Sequence, residues 1–129
     1  MTVGFSAVNL ANKFLDMLGG TAFTAPAVTA VKLHTGDPGS AGTANASAET
    51  TRKALTWSAA SAGSKSITAT LPTWSWVAGS ETIADISVWD STTAGNFLFS
   101  GALTASKPVT NGDTFNLTSL TVAFTPIAA

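Results

Sequence analysis

The sequence predicts a mainly β protein: an antiparallel β-sandwich or jelly roll with one N-terminal α-helix and one long polar loop. Three observations support this fold class. Hydrophobic residues make up 45% of the 129 residues and charged residues only 10%, while Thr contributes 21 residues and Ser 14. Thr favours extended backbone because its branched Cβ suits a pleated surface. About eight short segments of alternating polarity follow a single amphipathic stretch, as in sandwich folds.

The length suits one domain over residues 1–129. Within it we expect a helical segment over 1–20 and a β-sandwich over 27–126 that carries an extended loop over 36–53. Ser6 is a suitable N-cap for the helix, and Gly19-Gly20 can end it. Apolar residues recur at helical spacing, which predicts either a helix packed on its own sheet or one docked on a neighbouring subunit. These residues are Val8, Leu10, Ala11, Phe14, Leu15 and Leu18.

The strands follow in order. Residues 27–34 alternate, with Val31 and Leu33 on one face and Lys32 and His34 on the other. Residues 83–90 alternate in the same way. Weaker segments are predicted at 54–59, 66–71, 73–77, 96–103, 107–110, 113–117 and 120–125. Asn111-Gly112 predicts a hairpin between the segments on either side of it.

The polar loop begins with Gly36-Asp37-Pro38-Gly39, a strong turn pattern that ends the first strand. The Gly, Ala, Ser and Thr residues after it have side chains too small to build a core. We expect this segment to lie extended over its own sheet or over a neighbouring subunit, with Arg52 and Lys53 tethering its far end. It should be mobile in the isolated protein and ordered in an assembly.

The composition argues against several classes of protein. A formal net charge of -1 and six scattered Lys and Arg residues do not form the basic face that nucleic acid requires. No apolar run approaches the ~20 residues that span a bilayer, and no signal-peptide pattern is visible. With no Cys, disulfides and thiolate chemistry are excluded. We therefore expect synthesis in a cytoplasm, with no nucleic-acid or membrane partner.

The residues also lack a recognisable catalytic or metal-binding pattern. His34 is the single histidine and no Gly-x-Ser-x-Gly motif accompanies it. Asp37 and Asp113 lie in turn sequences, where Asp commonly caps the backbone. Asp85 and Asp90 are five positions apart on a predicted strand, so they face opposite sides. We predict no catalytic residue, no metal ligand and no cofactor.

The tryptophans leave three interpretations open. Trp74 and Trp76 share one face of a predicted strand, and an exposed pair of indoles could stack on sugars. Trp is also common at protein interfaces. The third interpretation places these two residues, with Trp57 and Trp89, in the sandwich core.

Several motifs resemble a family of small bacteriophage virion proteins that includes tail fibre and minor tail proteins, frequent in phages of actinobacteria. They are LHTGDPG at 33–39, Thr51-Arg52, VWD at 88–90 and AGNFLFSGALTASKPVTNGDTF at 94–115. The resemblance covers most of the chain and implies a structural, non-enzymatic part of a virion that is assembled in the host cytoplasm. Repeats and a long stem are absent from the sequence, which favours a compact accessory subunit over a fibre shaft.

The expected function is to bind other virion proteins on the particle, either in the tail or on the major capsid protein as a decoration. A homo-oligomer is expected, and a trimer would suit fibre stems or capsid threefold positions. The alternative is a carbohydrate-binding module that attaches to a host glycan through Trp74 and Trp76. The candidate interface residues are Phe14, Asp37, Arg52, Lys53, Trp74 and Trp76.

Overall fold

The computed structural model describes residues 3–125 and 128, and confirms a mainly β fold with an N-terminal helix. Residues 1–2 of the predicted helical segment and residue 126 of the predicted β-sandwich lie outside the described residues, as do residues 127 and 129. A π-helical turn, Ala7–Ala11, leads directly into α1, Asn12–Leu18. The strands are β1 Thr29–His34, β2 Lys53–Leu55, β3 Ser64–Ser66, β4 Thr73–Ser75, β5 Glu81–Trp89, β6 Phe97–Val109, β7 Thr114–Asn116 and β8 Thr121–Ala123.

The strands form one antiparallel sheet of four, in the order β2-β1-β5-β6, and two antiparallel pairs, β3-β8 and β4-β7. β5 is central in the larger sheet: it pairs with β1 from Ala30↔Trp89 to His34↔Asp85, and with β6 on its other side. The alternation predicted for β1 is observed, since Val31 and Leu33 belong to the hydrophobic core.

The hydrophobic core joins one face of the four-stranded sheet to the two short strand pairs. It is built from aliphatic residues of the sheet and aromatic residues of the strand pairs and the segments beside them. Ile83 and Ile86 both reach this core although three positions separate them, because the β5–β6 register shifts between Ile83 and Asp85. The polar loop covers part of the other face, and the N-terminal segment runs along the edge of β6.

Several details of the β region differ from the sequence prediction; the segment predicted at 66–71, for example, overlaps β3 only at Ser66. The segments expected at 96–103 and 107–110 form the single strand β6, in which residues 103–106 bulge away between the pairs Asp85↔Ala102 and Ile83↔Lys107. The prediction of a hairpin at Asn111-Gly112 is wrong. The strands on either side of this turn, β6 and β7, do not pair with each other, because β6 pairs with β5 and β7 pairs with β4. Gly112 is in a turn, but its N–H donates to the Trp76 carbonyl at 3.0 Å, so the turn docks on the end of β4 instead.

The polar loop folds back on its own sheet in turns, not as the extended arm that the sequence predicts. The Thr35 N–H donates to the Asn45 carbonyl at 2.8 Å, and the Ser47 N–H donates to the Leu33 carbonyl at 3.1 Å. Gly42 lies against the ring of Phe97 in the left-handed region, at φ +71. The small side chains therefore allow tight turns and a close approach to the sheet.

The Gly42 contact predicts the effect of adding one methyl group. A Cβ at Gly42 would lie 2.3 Å from the Phe97 ring, whereas one at Gly112, φ +93, would meet no atom within 4 Å. Gly112→Ala carries only backbone strain of about 1–2 kcal/mol. Gly42→Ala should cost about 1–3 kcal/mol more, through overpacking. Urea unfolding of both variants measures the difference, and equal losses would contradict the contact.

Candidate protein-binding surface

The helical segment exposes much of its apolar side. Leu18 is 83% exposed, Val8 73% and Leu15 64%. We call these three residues the helix surface. Leu10 is buried in the π-helical turn and Phe14 is half-buried, while α1 itself contains no buried residue. A stripe with this much exposed apolar area is typical of an interaction site, because isolated soluble domains rarely leave such side chains together in water.

Beside the helix lies a cleft of about 540 Å³ lined mainly by apolar side chains. Its aromatic residues are in contact through edge-on and tilted geometries: Phe5 with Phe99 at 6.0 Å, and Phe14 with Phe23 at 5.3 Å and with Phe124 at 5.6 Å between ring centroids. We call these five Phe residues the aromatic cleft. Phe5 and Phe124 are themselves exposed, so an incoming apolar side chain could stack on their rings.

Backbone hydrogen bonds hold this surface at the edge of the main sheet. The Ser6 N–H donates to the Leu98 carbonyl at 2.7 Å, and the Ser100 N–H donates to the Gly4 carbonyl at 2.8 Å. Ser6 Oγ then accepts from the Asn9 N–H at 3.2 Å, which is the capping bond predicted from the sequence. The N-terminal segment thus extends along the outer edge of β6 before it becomes helical, and this fixes where the helix stands.

Phe14 is the one predicted interface residue that lines this surface. Asp37 instead closes the turn that follows β1, where its Oδ1 accepts from the Gly39 N–H at 2.8 Å. Arg52 stacks on Trp89, with its guanidinium carbon 3.9 Å from the ring centroid, and donates to the Ser91 and Ala94 carbonyls. Lys53 begins β2 opposite Val31. The structure therefore does not bring these predicted residues together into one site.

Trp74 and Trp76 are core residues, each only 1% exposed. The exposed indole pair proposed as a sugar-stacking platform does not exist at these positions. The Trp74 Nε1–H donates to the Thr51 carbonyl at 2.8 Å, which secures the end of the polar loop. The Trp76 Nε1–H is buried without an acceptor among the described residues.

His34 is also buried, at 0% exposure, on the sheet face opposite the core. Its ring lies between the Ser87 hydroxyl and the Ala44 carbonyl, and burial lowers the pKa of the imidazole. Nearby, burial and the charge of Asp37 raise the pKa of Asp85.

Across residues 3–125 and 128, no three His, Cys, Asp or Glu side chains come together as a metal site. Within the same ranges, no helix is long and apolar enough to cross a bilayer.

The sequence prediction missed most of the aromatic cleft. Phe5, Phe23 and Phe124 lie outside the regular helices and strands, so periodicity gives no sign of them. What the sequence does offer is a cluster of Phe residues near both ends of the described chain. They become neighbours only when the N-terminal segment and β8 meet at the same side of the molecule.

The fold and this surface define a class of protein: a β-sandwich-like domain that offers an apolar surface suited to contact with another protein. Comparison with known families makes this specific. The model of a family described as "Podophage GP4 fiber I protein gp80" matches residues 4–125, so the chain belongs to this bacteriophage fibre protein family. The expected resemblance to phage structural proteins is confirmed at that level. A search of curated proteins finds no match.

The two buried indoles yield a matched prediction. Trp74→Phe and Trp76→Phe both remove ring volume from the core, but only the first removes a hydrogen bond and leaves the Thr51 carbonyl unpaired. Trp74→Phe should therefore lower the free energy of unfolding by about 1–3 kcal/mol more than Trp76→Phe. Denaturant unfolding measures this, and a larger loss for Trp76→Phe would contradict it.

Arg52 yields a second prediction, since its contacts are all internal. Arg52→Ala removes the stacking on Trp89 and the hydrogen bonds to two carbonyls, and should cost about 2 kcal/mol of stability. Lys53→Ala changes the neighbouring charge without those contacts and should stay within about 0.5 kcal/mol. Thermal unfolding at matched ionic strength distinguishes them. Equal effects would mean that Arg52 has no special structural role.

Proposed function

We propose that this protein is a non-enzymatic structural subunit of a phage fibre that self-associates and binds other virion proteins through the helix surface and the aromatic cleft. The observation that carries the proposal is the exposure of Val8, Leu15 and Leu18 beside a cleft lined by Phe rings. The membership of a fibre protein family supports a place in the virion. A location in the fibre is accordingly preferred here to capsid decoration.

The spacing along the helical segment suits a second copy of the same chain as one partner. Ala11 at the start of α1, Leu15 and Leu18 are separated by four and three residues, and the exposed Val8 extends the apolar surface in the π-helical turn that precedes them. This is the spacing of the apolar seam at which helices pack side by side. The nearby charged residues Lys13 and Asp16 lie off this seam, so copies could approach along it without like-charge repulsion.

A seam of this length needs support from the rest of the surface. Isolated helices shorter than about 12–15 residues are marginal in water. The aromatic cleft lies against the same helix and can supply further buried area, toward the roughly 800 Å² per partner of a standard interface. A trimer would place three such helices around one axis, in keeping with the expectation for a fibre stem.

Attachment to host glycans was the alternative from sequence. The residues that motivated it, Trp74 and Trp76, are buried in the core. No other described feature favours sugar stacking over protein contact, so only the structural role is proposed.

The proposal predicts the effect of placing charge on the helix surface. The double variant Leu15→Asp, Leu18→Asp should weaken self-association at least a hundredfold, because carboxylates would be forced into an apolar contact. Val77→Asp is the matched control, since Val77 is 78% exposed and lies outside this surface. Sedimentation equilibrium gives the oligomeric state, with circular dichroism to verify folding.

Incorporation into particles tests the same variants in the virion. Particles that lack this protein should take up the wild type and Val77→Asp but not the double variant. If the folded double variant assembles and incorporates like the wild type, the helix surface is not the interface.

A further inference from the structure

The polar loop is joined to the main sheet by one buried titratable side chain. His34, the last residue of β1, has no exposed area, and its two ring nitrogens both make hydrogen bonds. Nδ1 lies 2.8 Å from the Ala44 carbonyl in the loop, and Nε2 lies 2.7 Å from Ser87 Oγ on β5. The imidazole thus bridges the loop and the central strand.

The chemistry of the Ala44 carbonyl and the Ser87 hydroxyl fixes the direction of the two hydrogen bonds to His34. A carbonyl can only accept, so Nδ1 carries the hydrogen and donates to Ala44. Neutral Nε2 then accepts from the Ser87 hydroxyl. Ser87 Oγ in turn accepts from the Trp89 Nε1–H at 2.8 Å. The chain Trp89–Ser87–His34–Ala44 is fully satisfied only while the imidazole is neutral.

We propose that His34 is a pH-sensitive latch, which holds loop residues 35–46 on the sheet when it is neutral and releases them when it is protonated. A proton on Nε2 removes the acceptor of the Ser87 hydroxyl and places a cation where no water reaches it. Opening the loop would hydrate the ring. This inference does not depend on the proposed self-association.

The charged groups around the ring set the sign of the effect. Burial is the main cause that lowers the pKa of His34, and the positive charge of Lys32 on the same strand acts in the same direction. The Ala44 and Asn45 carbonyls oppose these effects, but the pKa remains lowered. On β5, Asp85 lies opposite His34 in the strand register, and the charge of Asp37 in the loop acts on Asp85. The pKa of Asp85 is raised, so this countercharge is lost earlier than that of an ordinary Asp as the pH falls.

The opened loop binds the proton better than the closed loop, because its His34 would titrate near the ordinary pKa of about 6.5. The contribution of His34 to the stability of the closed loop is therefore fully present above this pH, and it decreases as the pH falls below it. Release would also uncover the Phe97 ring, which Gly42 covers in the closed state. The loop's far end is held separately, since Glu81 accepts hydrogen bonds from Ser47 Oγ and the Ala48 N–H.

Amide hydrogen exchange on the intact protein tests the latch. The reporter is the Thr35 N–H group, which donates to the Asn45 carbonyl across the base of the loop, within the segment that the latch holds. The reference is Val88 on the central strand β5. After correction for intrinsic rates, protection at Thr35 should fall by as much as about thirtyfold between pH 7.5 and pH 5.0. Protection at Val88 should stay the same.

The variant His34→Gln removes the titration and should abolish the difference in Thr35 protection between the two pH values. Constant protection of the Thr35 N–H in the wild type would overturn the proposal, and so would an equal fall at Val88, which indicates global unfolding. A pH dependence that persists in folded His34→Gln would assign the effect to another group and would overturn it too. The wild-type comparison decides the question even if the variant does not fold.

Discussion

The pairing of β5 with strands on both sides is the constraint on which the rest of the structure depends. β1 and β6 fix it from opposite edges, so its alternation has to serve two different surfaces. Ile86 and Val88 enter the hydrophobic core on one face. On the other face, Ser87 contacts His34, whose ring also contacts the polar loop at Ala44, and Trp89 contacts Arg52. The loop and the core are thus organised by the same nine-residue strand.

The position of the polar loop over this face of the main sheet explains why it is well packed although its residues are polar. Its residues are too small to contribute a core, but their backbone can approach closely and form hydrogen bonds. Pro38 and Ser47 are buried, and the loop returns to β1 through the bridge between His34 and Ala46. The loop is therefore folded on its own sheet and is not an extended arm. The exposed apolar side chains lie instead at the helix and the aromatic cleft.

The sequence predicted those features that one element determines by itself. β1 and β5 were found because Val31, Leu33, Ile86 and Val88 alternate with polar residues. The failures are features that depend on two or more elements. Asn111-Gly112 does form a turn, but tertiary contacts with Trp76 select its partner strand. Trp74 and Trp76 showed one shared face, and only the packing of β4 on the core decides that this face is buried. The aromatic cleft draws on distant segments, which a reading of local patterns does not join.

The attachment of the N-terminal segment along β6 has a mechanical consequence. The bonds Ser6–Leu98 and Ser100–Gly4 lie across the direction of the chain, and the Asn9 side chain adds a third link to the Phe97 carbonyl at 2.9 Å. Tension applied along this edge would load these bonds in shear, together and not one after another. Phe97 and its neighbours then pass the load to β5 through the sheet ladder. A subunit held by its helix in a fibre would in this way resist pulling with its longest strand.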